Sequence, residues 1–378
     1  MEKASTQVKV AIVGGGPAGC AVALGLARHG LTDVRIVEAG DGRRERVGES
    51  VPPDFRRLLS TAGLLDAFLR EGHAPCLGSR AAWGQATLGY NDFIVDPHGP
   101  GWHLDRARFE TFLSAQVEQR GIRIDRATRC RDLRRRDEGG FALQLERNDG
   151  ASVLQADIVV DAGGLQALLA HRLGARRRVD DQMIVSAVFV DLAPRAEQAP
   201  RFDAFTLLEA VPEGWWYAAR LPDDRAIVAI SSDADALRAR QLDQAEGWRR
   251  ALLQTQHLAP LLHDAQWRHA RPIRLLAASS ELEPCAGRDW LAVGDAASSF
   301  DPISAQGLHK AFAQGLAAAD AIVGADRGDV GALPAYARLV RDSYARYWQQ
   351  RQYFYAQETR WPDAPFWQRR QQAALIEG

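Results

Sequence analysis

Val8-Lys9-Val10-Ala11-Ile12-Val13-Gly14-Gly15-Gly16-Pro17-Ala18-Gly19 is the stretch whose reading decides the fold. An apolar run breaks into glycines, and Cys20 to His29 continues as an alanine-rich, small-residue helix. A second apolar run, Val34-Arg35-Ile36-Val37, ends in Glu38. The order is strand, glycine turn, helix, strand, acid. Gly14, Gly16 and Gly19 fit G-x-G-x-x-G: the first for a tight turn, the second for close approach of backbone to a pyrophosphate, the third for packing helix on strand. The helix N-terminus offers unpaired N–H groups and the positive end of its dipole to phosphates. Glu38, at the tip of the second strand, stands where a carboxylate accepts hydrogen bonds from an adenosine ribose. Alone, such a glycine pattern is weak; with strand, helix and acid in place it predicts a dinucleotide site.

The 378 residues suffice for one large or two intimately joined domains. Apolar residues make up 46% and charged residues 25%, ordinary for a globular protein. A net charge of −1 gives no reason to expect a nucleic acid or an anionic membrane as partner. Cys20, Cys76, Cys130 and Cys285 are scattered without a C-x-x-C pair, which argues against a metal knuckle or a disulfide framework and fits a reducing compartment. No signal peptide and no run long enough to span a bilayer is read, so the expectation is a cytoplasmic protein without metal.

Working outward, Ala39 to Arg46 reads as a polar, charged loop leading to Val47-Gly48-Glu49-Ser50. Pro52 and Pro53 precede a helical pattern, and Asp105 caps a helix predicted to run to about Gly121. Residues 123–161 suggest a β-meander built from Ile122–Ile124, Phe141–Leu145, Val153-Leu154 and Ile158–Val160. Met183 to Ser232 changes to strands rich in β-branched and aromatic residues, predicting a second sheet. A helix over Gln241–Gln256 and a strand pair around Trp267 to Leu276 follow. The last helix, from about Pro334, becomes aromatic and runs into a proline-interrupted tail, Tyr353 to Trp367.

Two further junctions join the first. Ile158-Val159-Val160 runs into Asp161-Ala162-Gly163-Gly164, and Trp290-Leu291-Ala292-Val293 runs into Gly294-Asp295 and then Pro302-Ile303-Ser304-Ala305-Gln306-Gly307-Leu308 before a long helix. A strand ending in Gly-Asp places a carboxylate for a polyol hydroxyl. The turn before the helix aims N–H groups at an electron-rich ring edge, as a flavin's ribityl chain and N1–C2=O edge require. The competing reading of Asp295 is a turn or helix cap.

These residues resemble, from end to end, the FAD-dependent monooxygenases of the p-hydroxybenzoate hydroxylase fold. Val47-Gly48-Glu49-Ser50, Trp102 to Phe109, and Gly294-Asp295 through Gly307 are most similar to its tryptophan-halogenase branch. The resemblance implies an α/β architecture: a Rossmann-type FAD-binding domain (1–75, 104–180 and 285–330), an inserted mixed or antiparallel β-sheet substrate domain (76–103 and 181–284), and an aromatic C-terminal helical segment (331–378). By resemblance, Gly14, Gly16, Pro17, Ala18, Gly19 and Glu38 hold the ADP half of FAD. Ser50, Arg106 and Asp161 border the cofactor, Gly294 and Asp295 take the ribityl chain, and Pro302, Gly307 and Leu308 lie along the isoalloxazine.

Departures from the halogenases decide the subfamily. Their catalytic lysine is missing from Leu77-Gly78-Ser79-Arg80-Ala81-Ala82-Trp83-Gly84, and Ser304 stands where they carry a glutamate. Trp215-Trp216-Tyr217-Ala218-Ala219-Arg220-Leu221-Pro222 keeps only the end of their W-x-W-x-I-P signature, with Tyr217 and Ala219 at its paired tryptophan positions. What remains resembles halogenase-like hydroxylases that act as maturases, oxidising a tryptophan of a partner protein toward a tryptophylquinone.

The implied reaction is hydroxylation of an electron-rich ring by a flavin C4a-hydroperoxide in a dry pocket, the ring proton leaving to a base. Reducing equivalents would come from NAD(P)H or a separate flavin reductase. Glu49, Asp301, Ser304 and His309 are the candidates for the chemistry. Against them stand plainer roles: a loop brace for Glu49, a turn residue for Asp301, a packed histidine for His309. The aromatic tail reads as core packing or as a substrate wall. The alternative functions are a hydroxylase of a free small aromatic metabolite, a halogenase, a non-catalytic flavoprotein chaperone, and a reductase or saturase of isoprenoid chains.

Overall fold

The glycine-rich stretch leaves a strand and enters a helix. The computed structural model describes residues 6–41, 46–192 and 202–375, with 372–375 described by backbone alone. Part of the expected polar loop, 42–45, lies outside the described residues.

Thr6–Val13 is the central strand of the first sheet. It runs parallel to Val34–Val37, with Val10 opposite Val34, and parallel to Gly150–Asp161, with Val10 opposite Ile158. Arg123–Asp125 adds beyond Val34–Val37, and Trp290–Ala292 pairs with the far end of Gly150–Asp161. Strands covered on both faces need near-continuous apolar runs, which is what made them legible. Pro17–Arg28 packs against the long helix Gly307–Asp326 through small residues. A Cβ added to Gly25 would stand 2.6 Å from the Ala319 Cβ, and one added to Gly315 would stand 2.5 Å from that of Ala21.

The expected meander is corrected. Ile122–Ile124 does not begin it; Arg123–Asp125 is an edge strand of the parallel layer. Arg129–Arg135, not expected, pairs antiparallel with Phe141–Arg147, which pairs with Gly150–Asp161. It carries four arginines, and its two inward residues, Cys130 and Leu133, are three apart because the register shifts between them, so no clean alternation marks the strand. The two short runs expected at 153–160 are one strand of 12 residues.

The second sheet is mixed and mostly antiparallel. Its order is Ser298–Ser299, Ile273–Glu283, Arg176–Asp191, Arg225–Ser232, Gly214–Leu221, Phe205–Val211, Gly78–Ala82, Gly89–Asp92. The turns at Pro212-Glu213-Gly214 and Pro222-Asp223-Asp224 close two hairpins, registering Trp215 opposite Ser231. One face packs on helix Ala245–Leu252, where Trp216 and Trp248 meet edge to face at 4.8 Å. That helix is shorter than expected from Gln241–Gln256, because Gln241 takes φ +55, outside the helical region. The other face looks back at the glycine loop. A small sheet of Ser50–Val51, Gly101–His103 and Ala74–Cys76 bridges the two layers. Helices Ala332–Ala356 and Pro365–Leu375 close the fold. No helix among the described residues is long and apolar enough to cross a membrane.

Candidate functional site

At Gly14, φ is +112 and an added Cβ would stand 2.2 Å from the Ala162 carbonyl oxygen, so only glycine lets the two strand ends meet there. At Gly19 an added Cβ would stand 2.0 Å from the Gly14 carbonyl oxygen, which seats the helix directly on the turn. Gly16 differs: its nearest neighbour among the described residues would be Arg46 Nη1 at 3.9 Å. The missing side chain at 16 leaves open space rather than relieving a clash. Glu38 accepts from the Gly15 and Gly40 N–H groups, each at 2.6 Å, which fixes its carboxylate beside the turn. A carboxylate has about four lone-pair sites, so acceptor capacity remains.

The three strand-end junctions enclose one cavity of about 780 Å³. Gly14, Gly16, Pro17, Ala18 and Glu38 line one end. Glu49, Ser50, Arg106, Asp161 and Asp295 line its flanks, and Asp301, Pro302, Gly307 and Leu308 its far side. The wall opposite the loops comes from the second sheet: Val185, Trp215, Tyr217, Ala229, Leu275, Leu276 and Ala277. Four of the expected residues do not reach the cavity lining. Gly19 sits beneath the turn. Gly294 donates its N–H to Gln314 Oε1 at 2.9 Å. The Ser304 hydroxyl donates to the Asp301 carbonyl at 2.9 Å. His309 packs tilted against Phe55 and points Nε2 at Asp54 Oδ2, 3.0 Å away, with burial lowering its pKa. Among the described residues of the C-terminal segment, none lines the cavity either: Trp367 packs among Trp83, Tyr355, Trp361 and Phe366, so these residues of the aromatic tail are core packing, while Tyr353 and Phe354 are exposed.

Several side chains are held by the loops they stand on. Arg106 donates to the carbonyls of Val47 and Gly48 at 2.9 and 2.8 Å and to Glu110 at 2.6 Å, while its Nε is buried without a partner. Asp161 accepts from the N–H groups of Gly163 and Ala170, both at 3.0 Å, so it ties the second junction together. The Ser50 hydroxyl lies 2.9 Å from the Tyr217 hydroxyl and links the small sheet to the second sheet.

Glu49 is 1% exposed, and among the described residues neither carboxylate oxygen has a hydrogen-bond partner. Burial pushes its pKa up to about 7, with Arg106 pulling the other way. Asp301 is equally buried but fully engaged. Its carboxylate accepts from Ile303 N–H at 2.9 Å, Arg351 Nε at 3.0 Å and the Tyr355 hydroxyl at 2.9 Å. Of the candidate acids, Glu49 is therefore the one left free to exchange a proton within the cavity.

Sequence reasoning missed Lys310, Arg351 and Cys130. Lys310 is buried, with Nζ 2.7 Å from Asp295 Oδ1 and over the Phe300 ring. Its position one turn into the helix that follows Gly307 was a usable signal, since that face must look back at Gly294-Asp295. Arg351 lies in a helix of ordinary amphipathic pattern, and nothing local marks it. Cys130 lines the cavity as a buried thiol whose pKa burial raises to about 12. The residues present fit FAD. The open space at Gly16, the unpartnered Arg106 Nε at a helix start and the half-exposed Asp295 carboxylate lie along one cavity that ends against an aromatic wall.

Comparison with known proteins agrees with this geometry. The FAD binding domain family matches residues 7–369. LodB of Marinomonas mediterranea, assigned as an FAD-dependent oxidoreductase, is 30% identical over 373 residues, 97% of each chain. Among solved structures, QhpG, a peptidyl tryptophan dihydroxylase essential for tryptophylquinone cofactor biogenesis, is 28% identical with a TM-score of 0.69, covering 97% of this chain and 79% of that one. The flavin-dependent halogenase CmlS is 25% identical with a TM-score of 0.86, covering 98% and 70%.

Proposed function

The chain belongs to the FAD binding domain family and is a flavin-dependent oxidoreductase, and on that premise we propose that it hydroxylates an electron-rich aromatic ring, an indole carried by a partner protein or peptide. The observation that carries the reading is the composition of the cavity. Its far wall is aromatic and aliphatic, and no lysine is among the described residues that line it. Arg80, in the stretch where halogenases hold their lysine, lies on the strand Gly78–Ala82 rather than in a loop, and is paired with Asp203 and packed on Phe205. Ser304, at the place of their glutamate, spends its hydroxyl within its own turn. A site without a group to hold and polarise hypohalous acid is left with oxygen transfer.

Bound, reduced FAD would supply the activated oxygen. The chain's own part is to hold the ring, exclude water and take a proton. Trp215, Tyr217, Leu275 and Ala277 supply a wall against which an indole stacks and from which water is excluded. Glu49, buried and unpartnered, is assigned as the proton acceptor when the ring carbon loses its hydrogen. Leu276 lines the cavity yet is 51% exposed, an apolar lip that suits an aromatic ring attached to something larger. QhpG, similar along 97% of this chain, is a peptidyl tryptophan dihydroxylase, which favours the same substrate class.

The test is mass spectrometry of a tryptophan-containing peptide after incubation with the FAD-loaded protein, labelled oxygen gas and NAD(P)H, with and without a flavin reductase. Oxygen atoms from the gas appearing in the indole support the proposal. A halide-dependent mass shift, or labelling of free small aromatics but not of peptides, overturns it.

A further inference from the structure

The Asp301–Leu308 loop, which lines the far side of the cavity, is held by helix Ala332–Ala356 as well as by its own sequence neighbours. Asp301 opens the loop and is 1% exposed. Its Oδ1 caps the short turn at Ile303, as its sequence predicts, but its Oδ2 is committed to two residues on the last turns of Ala332–Ala356. Arg351 donates from Nε at 3.0 Å and Tyr355 from its hydroxyl at 2.9 Å. The Asp301 backbone N–H is taken by the Tyr347 hydroxyl at 2.7 Å, from the same helix. Ala305 then adopts φ +50, so the loop's path is not one that its local sequence favours.

The same contacts run on into the second sheet. Tyr355 accepts from Trp215 Nε1 at 3.0 Å, and Trp215 forms part of the cavity wall. Arg351 also bonds Asp181 on Arg176–Asp191. Arg370, 1% exposed, places Nε 3.0 Å from Asp181 and donates to Asp233 at 2.7 Å. The buried guanidiniums of Arg351 and Arg370 alternate here with the buried carboxylates of Asp301 and Asp233 and the partly buried one of Asp181. Each is compensated, and loss of one partner would strand a buried charge.

We propose that Arg351 and Tyr355 are positioning residues that fix the Asp301–Leu308 loop, and through it the orientation of the flavin ring relative to the Trp215 wall. The proposal rests on the reading that the ring lies along Pro302–Leu308. A lone aspartate turn would leave the loop free to shift. A carboxylate gripped from a second helix sets the loop's distance from the opposite wall, and oxygen transfer is sensitive to displacements on the order of 1 Å.

The experiment compares purified holoenzymes of Tyr355→Phe, Arg351→Lys, the charge-removing double variant Asp301→Asn/Arg351→Met, and Pro302→Gly as a control within the loop. The readouts are FAD affinity of the apoprotein, the shape of the visible flavin band, the midpoint potential and the thermal transition. Tyr355→Phe and the double variant are expected to bind FAD about tenfold more weakly and to shift the flavin band and the potential. Arg351→Lys, which keeps the charge, should recover most of both. If Tyr355→Phe lowers only the thermal transition while affinity, band and potential stay as in the wild type, and Pro302→Gly shifts them, the positioning role is overturned and the network is purely structural. If Pro302→Gly leaves the flavin band unchanged as well, the ring is not on this loop and the reading beneath the proposal fails. Should the double variant not fold, Tyr355→Phe and Arg351→Lys decide the matter.

Discussion

Lys310 Nζ lies 2.7 Å from Asp295 Oδ1, and the two partners have opposite surroundings: the lysine side chain is 3% exposed and the aspartate side chain 50%. Burial alone would drive the lysine neutral and pull its pKa down, and the Asp295 charge works against that. The lysine thus braces the carboxylate from behind while the other oxygen stays available in the cavity. In Lys310→Met, Asp295 can be hydrated where it stands, so no buried charge is stranded and the stability change should stay under about 2 kcal/mol. Its orientation is lost, however. FAD affinity, measured by flavin fluorescence during apoprotein titration, should fall about tenfold. An affinity equal to the wild type would remove Asp295 from the cofactor contacts.

Gly14 and Gly16 look alike in the sequence and should fail differently. Gly14→Ala would put a Cβ 2.2 Å from backbone at φ +112, so the strand junction itself must open. A loss of about 3 kcal/mol or more, or an insoluble protein, is expected. Gly16→Ala would meet nothing closer than 3.9 Å and should fold with an almost unchanged thermal transition. Its methyl group occupies the space a pyrophosphate needs, so the purified protein should be pale and take up little added FAD. A yellow Gly16→Ala protein would move the phosphates elsewhere in the cavity.

The contrast marks what the sequence could reveal. The parallel layer was legible because strands covered on both faces must be apolar nearly throughout, and the first glycine turn because a side chain has no room at Gly14 or Gly19. Arg129–Arg135 was not legible, since its two inward residues, Cys130 and Leu133, are three apart across a register shift and stand among four arginines. At the site, Glu49 stood out because Val47-Gly48-Glu49-Ser50 resembles a loop that flanks the flavin, and burial keeps it a candidate. Asp301 stood out equally, but its carboxylate is spent on Arg351 and Tyr355, fifty and more positions away. His309 is turned toward Asp54 in the same manner. A motif fixes where a residue sits on the chain. Which partner consumes its charge depends on long-range packing, which local pattern does not encode.

The aromatic tail shows the same limit in its effect on stability. Trp367 is fully buried, 5.2 Å from Trp83 and 5.9 Å from Tyr355 between ring centres, and its Nε1 donates to the Val211 carbonyl at 2.9 Å. Trp367→Ala should cost about 3–5 kcal/mol, read from chemical denaturation. If the tail were instead a substrate wall, the variant would keep its stability and lose only turnover.

Glu49 supplies a prediction whose sign is fixed by its surroundings. Burial raises its pKa from the ordinary 4.5 to about 7 in the folded chain. Below about pH 4.5 both folded and unfolded chains hold the proton. Between there and pH 7 the unfolded chain releases it while the folded chain keeps it. Stability of the FAD-free protein therefore falls as pH rises through that window and levels off above it, by at most about 3 kcal/mol from this residue. Glu49→Gln should lose that part of the slope and be the more stable protein at pH 8. Turnover should respond in the opposite sense. A proton acceptor works only when ionised, so kcat should rise through about pH 7 in the wild type, and in Glu49→Gln it should drop by about 10²–10⁴ with that inflection gone. A Glu49→Gln enzyme that is stabilised as expected but keeps its turnover and its pH profile would leave Glu49 buried to no catalytic purpose and return the search for the acceptor to the substrate itself.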